Sequence, residues 1–177
     1  EGTLDLVARL LIDRNQSATR LAFRRLIGDA VDSYSAEAGS DADGNVDSRR
    51  LAVAWERRRA ILQDAPYASR LDDILARYAA NYWLSSKYMF SPDLVVHGLP
   101  LMTTLAVVRF LFLGDHKVLA QLPKPEAAAD LDATVIRIIT AVSRDIAHAD
   151  RFVQRSRDLM VGQGRDNLAW AITLCRF

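Results

Sequence analysis

Apolar residues recur three and four positions apart along most of the chain, the spacing of one face of an α-helix. Residues 71–114 are the centre of this pattern. Leu71 opens a helical stretch that carries Leu71, Ile74, Leu75, Tyr78, Tyr82 and Met89 and runs through Asn81 and Trp83 to Phe90. Ser91-Pro92-Asp93 interrupts it. The most apolar run of the protein follows, residues 94–113, closed by Gly114. Within that run the pattern predicts a helix over 99–113. Pro100 falls in its first turn, where the missing N–H is harmless, and Gly114 is its stop. Both segments read as core. The expected fold is all-α, an irregular bundle of about seven to eight helices around a central apolar helix pair, forming a single helical domain over residues 1–177.

The flanking segments are amphipathic enough to cover that pair. Thr3 caps a first helix over 4–14, and Ser17 a second over 18–36 with Phe23, Leu26, Ile27, Ala30 and Tyr34 on one face. A polar loop spans 39–45. Asp47 or Ser48 caps a third helix, 49–63, whose shared face carries Leu51, Ala54, Trp55, Arg58, Ile61 and Leu62. Arg58 is expected to snorkel from that face to water. Ala65-Pro66 ends the helix, since proline disfavours helix at the residue before it. Pro123-Lys124-Pro125 is a stiff connector, and 126–130 is an alanine-rich helix start or loop. A sixth helix over 131–147 carries Val135, Ile138, Ile139, Val142 and Ile146. Asp150 caps a seventh over 151–161, Gly162-Gln163-Gly164 is a turn, and Asp166 caps a short last helix. No period-2 run exceeds Leu94-Val95-Val96, too short for a strand.

Composition narrows the function classes more than it names one. At 177 residues the chain can bury a real core. Its formal charge of +1 exerts no general pull on nucleic acid or acidic membranes. The single cysteine, Cys175, excludes an internal disulfide and any multi-cysteine metal centre, and favours a cytoplasmic location. No signal peptide is evident, because Asp5, Arg9, Asp13 and Arg14 interrupt the first apolar residues. The chain starts at Glu1 almost directly in a helical pattern, so it is expected to be a fragment of a longer protein. Residues 94–113 are long enough to raise a membrane span, but His97, Gly98, Pro100 and Arg109 favour a buried helix in a protein without membrane contact.

The candidate chemistry is sparse. Arg109 is the oddest residue of the apolar run. It is read as an internal ion pair or a guanidinium reaching the helix edge, with an anion site as the functional alternative. Asp41 to Asp47 has oxygen-bearing side chains at alternate positions, yet its glycine is misplaced and Ala52 stands where a calcium loop needs a bidentate Glu. No metal site is expected. Arg49-Arg50 and Arg57-Arg58-Arg59 point in different directions round a helix diluted by Glu56, so no nucleic acid is expected. His97, His116 and His148 are isolated, outside any metal-ligand spacing. Asp72-Asp73 lacks the further carboxylates of a diphosphate–magnesium motif and reads as charge favourable to a helix N-terminus.

Two stretches together resemble the helical C-terminal half of the flagellin lysine-N-methylase family. The first is Asn81-Tyr82-Trp83-Leu84, followed by the Arg109-bearing helix over 105–114. The second covers 135–144, ending in Ser143-Arg144, with His148 and Phe152 beyond. The resemblance spans residues 70–160 and rests on common helical residues. It implies a bacterial-type, S-adenosylmethionine-dependent methylation of protein lysines, with flagellin or another protein as substrate. Carried over by position, Asn81, Tyr82, Arg109, Arg144 and His148 become the substrate- or cofactor-binding candidates, alongside Ser143. The resemblance gives Arg109 the methyl donor's carboxylate and lets Asn81 or Tyr82 orient a neutral lysine amine. Family members carry an N-terminal cysteine cluster that this chain lacks, so it is expected not to be catalytically complete alone. Two readings compete. One is the ligand-binding and dimerisation domain of a transcription regulator, which requires an apolar cavity. The other is a helical interaction scaffold, which requires a filled core and an exposed apolar patch.

Overall fold

The computed structural model describes residues 21–39, 48–85 and 93–147, together with 154, 158, 160–162, 164, 167 and 169. Every regular element among them is helical, so the fold is all-α. Helix α1 is Leu21–Ala38, α2 Ser48–Gln63, α3 Ala68–Ser85, α4 Leu94–Gly114, α5 His116–Gln121 and α6 Ala128–Val142. A 3-10 turn, Pro125–Ala127, leads into α6, and a π-helical turn, Ser143–Ala147, follows it. The predicted first helix, the calcium-like loop at 41–47, Met89, His148 and Phe152 lie outside the described residues.

Helix α4 is the hub. Between Leu99 and Gly114 all but Pro100, Met102 and Arg109 are buried. A helix apolar on nearly every side has to be covered on nearly every side. Helix α1 and helix α6 pack most extensively against it. Helix α1 offers Phe23, Ile27, Ala30 and Tyr34, each at most 2% exposed, and α6 offers Leu131, Val135, Ile138 and Val142. By length and composition His97–Gly114 could cross a bilayer, but 72% of that window is buried by the rest of the chain.

The two members of the expected central pair, α3 and α4, are not equally buried. Helix α3 lies on the flank of α4 and fully buries Leu71 and Leu75 only, while Leu84 near its end is 85% exposed. Its partly buried Ile74, Tyr78, Ala79, Tyr82 and Trp83 complete the face packed against the core.

Helix α4 also starts five residues earlier than its spacing suggested. The His97 amide donates to the Asp93 carbonyl at 3.0 Å, so Pro100 stands inside the helix, not in its first turn. Proline has no N–H for the carbonyl four residues back. Around it, Tyr82 Oη donates to the His97 carbonyl (3.4 Å), and the buried Thr103 and Thr104 hydroxyls donate to the Leu99 and Pro100 carbonyls (2.8 and 2.7 Å).

The predicted stop at Gly114 falls at the right residue for a different reason. Its φ is not positive, so no left-handed cap forms there. A Cβ at this position would lie 2.9 Å from Ala30 Cα and press on Ala30 Cβ; glycine lets α4 and α1 touch backbone to side chain. The left-handed cap appears instead at Gly39 (φ 70°), whose amide donates to the Ser35 carbonyl at 3.0 Å and closes α1. After Gly114 the chain restarts as α5, which the pattern did not announce. Asp115 caps it by accepting from the Lys117 amide at 2.9 Å.

Arg58 corrects a further expectation. It does not snorkel; it is 3% exposed. Its Nε donates to Glu37 Oε2 (2.7 Å), Nη1 to Ser33 Oγ (3.1 Å) and the Leu113 carbonyl (2.9 Å), and Nη2 to the Ser33 carbonyl (2.8 Å). The guanidinium carbon sits 4.1 Å over the Tyr34 ring. One cation thus ties α2 to α1 and to the last turn of α4, whose free carbonyls are a favourable place for positive charge. Ile61, assigned to the same buried face, is 41% exposed.

Candidate functional site

Among the described residues two grooves flank the hub. The larger, about 1150 Å³, is walled by α1, the end of α4, α5 and α6. Five carboxylates line it, Asp29, Asp32, Glu37, Asp115 and Asp130, against the permanent cations Arg58, Lys117 and Arg137. Helix α1 sends Asp29, Asp32 and Ser33 outward because Phe23, Ile27, Ala30 and Tyr34 take the inward positions. Glu37 is engaged by Arg58 and, at 3.6 Å, by Arg57. Asp115 caps α5 and meets Arg137 at 3.5 Å. Asp29, Asp32 and Asp130 make no ion pair with any described residue. The groove wall is therefore net negative and attracts cations.

The smaller groove, about 510 Å³, opens where α2, α3 and α4 meet. Arg59 and Gln63 come from α2, Asp72 from α3 and Arg109 from α4, over a floor that includes Leu75 and Leu105. Arg109 Nη2 donates to Asp72 Oδ1 at 2.8 Å. Its side chain is one-fifth exposed, and the buried Nε has no hydrogen-bond partner among the described residues. The ion-pair reading of Arg109 holds, with an exposed carboxylate as the partner.

The candidates from the sequence do not converge on one pocket. Helices α3 and α4 run antiparallel, with Tyr82 at the His97 level and Asp72 at the Arg109 level. Tyr82 and Arg109 are therefore about 15–18 Å apart along the helix axis. Asn81 is exposed. The Tyr82 hydroxyl is engaged with the His97 carbonyl, and burial, then the neighbouring Tyr78, raises its pKa above 10.0. It stays protonated at neutral pH and is no base there. Trp83 forms a three-ring cluster with Tyr82 and His97, its centroid 6.3 and 5.5 Å from theirs and theirs 6.0 Å apart, and Gly98 leaves room for its indole. Ser143 shares a 3.1 Å hydrogen bond with Tyr78, which joins α6 to α3, while Arg144 points to solvent. No group of three or more His, Cys, Asp or Glu side chains suited to a metal ion forms among the described residues.

A third polar cluster joins α3 to α6. Tyr67 Oη donates to Asp132 Oδ1 at 2.8 Å, and Arg70 grips the same carboxylate through Nε and Nη2. Those Arg70 bonds hold the Asp132 carboxyl below its ordinary 3.8 against the opposing pull of burial, and the Tyr67 hydroxyl adds to them. Burial and the hydrogen bond to Asp132 push the Tyr67 hydroxyl upward. The arrangement is a polar tie between helices.

Asp29 and Asp32 on α1 and Lys117 on α5 sit on outward helix faces, but only the packing of α1, α5 and α6 around the end of α4 brings them to one groove. Comparison with known proteins finds no matching family model, no matching curated protein and no matching solved structure.

Proposed function

We propose that this chain is the helical part of a lysine-N-methylase-like protein and that its large groove seats the lysine-bearing segment of a protein substrate such as flagellin. The family resemblance supplies the reaction. The observation that carries the substrate side is the net negative groove, in which Asp29, Asp32 and Asp130 have no cationic partner among the described residues. A lysine-rich segment complements that wall in charge, and a groove of about 1150 Å³ is long enough for several side chains.

The chemistry limits what the groove does. Methyl transfer would need a neutral amine, whose lone pair would attack the donor's methyl carbon as the carbon–sulfur bond breaks and the sulfur leaves as a neutral thioether, the methylated ammonium then losing a proton. A carboxylate-lined wall stabilises the ammonium form and opposes that. The groove therefore holds lysines flanking the reacting one and sets its register. S-adenosylmethionine enters this reading through the resemblance alone. A donor anchored by its carboxylate at Arg109 would not reach an amine held at Asn81 or Tyr82, because the separation far exceeds the distance from carboxylate to sulfonium. Those two assignments belong to different places on the chain.

The test is a titration of a fluorescent, lysine-rich flagellin peptide into the whole chain and into the Asp29→Asn, Asp32→Asn, Asp130→Asn triple variant. With roughly 0.5 kcal/mol for each exposed charge pair, the variant should bind about tenfold more weakly. The wild-type affinity should fall steeply with salt. Equal binding by both proteins, or none by the wild type at low salt, removes the proposal.

A further inference from the structure

Arg109 is a cation in the most apolar helix of the chain, and a single exposed carboxylate is a thin counterweight for it. A guanidinium offers five donors. Among the described residues this one makes a single side-chain hydrogen bond, through Nη2 to Asp72. Its planar fork is matched to an oxyanion that accepts two bonds at once. The groove in front of it holds a second guanidinium, Arg59, whose Nη2 meets Glu56 at 2.9 Å on the flank. Among the described residues of its wall Arg59 and Arg109 face one carboxylate, Asp72, so that wall carries net positive charge. Behind the charges lie Leu75, Ala76, Ala79 and Leu105, an apolar floor. Cations at the mouth and aliphatic carbon beneath are what an anion with a short apolar tail requires. A volume of about 510 Å³ falls in the range of small-molecule sites.

Asp72 fits the same picture. It is 64% exposed and its Oδ1 sits 2.8 Å from Arg109, where an incoming carboxylate oxygen would sit. A solvent-facing carboxylate on a surface helix loses little by swinging away into water.

We propose that the groove between α2, α3 and α4 is a binding site for a small monocarboxylate with a short apolar tail, in which Arg109 receives the carboxylate and Asp72 is the internal anion it displaces. This site stands apart from the lysine-docking groove and does not depend on the methylation reading.

The test titrates hexanoate and, separately, inorganic phosphate into the whole chain by calorimetry, with the Asp72→Asn, Arg109→Gln and Arg109→Lys variants alongside. Hexanoate should bind saturably, several-fold more tightly to Asp72→Asn, at least tenfold more weakly to Arg109→Gln, and with intermediate affinity to Arg109→Lys. Phosphate, lacking a tail, should bind more weakly than hexanoate to every variant. If Arg109→Gln fails to fold, the gain in Asp72→Asn decides the matter, since that exposed substitution leaves the core untouched. Absence of saturable hexanoate binding in both wild type and Asp72→Asn overturns the proposal. So does unchanged affinity in a folded Arg109→Gln, or phosphate binding as tight as hexanoate.

Discussion

At the scale of single residues, two polar side chains connect helices that apolar packing alone would leave free to slide. Arg58 is buried with its donors spread over Glu37, Ser33 and the Leu113 carbonyl. Its replacement by alanine leaves Glu37 only the longer 3.6 Å contact with Arg57, strips the Ser33 and Leu113 carbonyls of their donors, and should lower unfolding free energy by about 3–5 kcal/mol. Urea denaturation of Arg58→Ala measures this, and a loss under about 1 kcal/mol would mean that the network adds little. Arg58 was not legible as a buried residue. An arginine on an apolar stripe reaches water in most helices, and the sequence gives no hint that Glu37 and Leu113 come to meet it. Asp132 is different in sign and size. Its folded pKa is depressed, so the stability it contributes is complete above 3.8, the ordinary value, and is lost as pH falls below that through the folded value. Arg70 is more than half exposed, so solvent screens the ion pair and its contribution is small. The stability gap between wild type and Asp132→Asn should be widest above pH 3.8 and narrow below it. A gap that widens on acidification would reverse the assignment.

At the scale of elements, periodicity found the helices, and close approach decided how they end and cross. The faces of α1 and α6 were readable because their buried residues follow helical spacing without interruption. The start of α4 was not, because Pro100 looks like a boundary in any sequence and is here tolerated inside a helix. Pro100→Ala restores the missing N–H and should stabilise the protein, by up to about 3 kcal/mol. A lower melting temperature would show that the helix needs its break. Gly114 reads as a stop signal but serves as a contact. Gly114→Ala gains about 1 kcal/mol of helix propensity and forces a methyl group against Ala30, at a cost of about 1–3 kcal/mol. Net destabilisation is expected, with part of the loss recovered when Ala30→Gly is added. Additive effects in that double-mutant cycle would mean that the two residues do not touch.

At the scale of the whole molecule, the apolar run that resembles a membrane span is accounted for by its surroundings. Tyr34, Trp55 and Phe110 form a stacked cluster on one side of α4, with Tyr34 and Phe110 centroids 4.7 Å apart, and Tyr67 stacks on Phe112 from another. All-helical architecture was legible from the hydrophobic pattern. The grooves were not, because each is assembled from helices distant in sequence, and opposite charges on separate elements carry no linear signature. The candidates Asn81, Tyr82 and Arg109 share a helix pair but lie at different levels of it, a separation that only the antiparallel crossing reveals. Native-state hydrogen exchange tests the central position of α4 most directly. The amides from Leu105 to Leu113 should exchange only through global unfolding, at the free energy found by denaturant, while those from Ala79 to Ser85 exchange through cheaper local opening. Exchange in the α4 segment as fast as at the end of α3 would contradict a fold built around that helix.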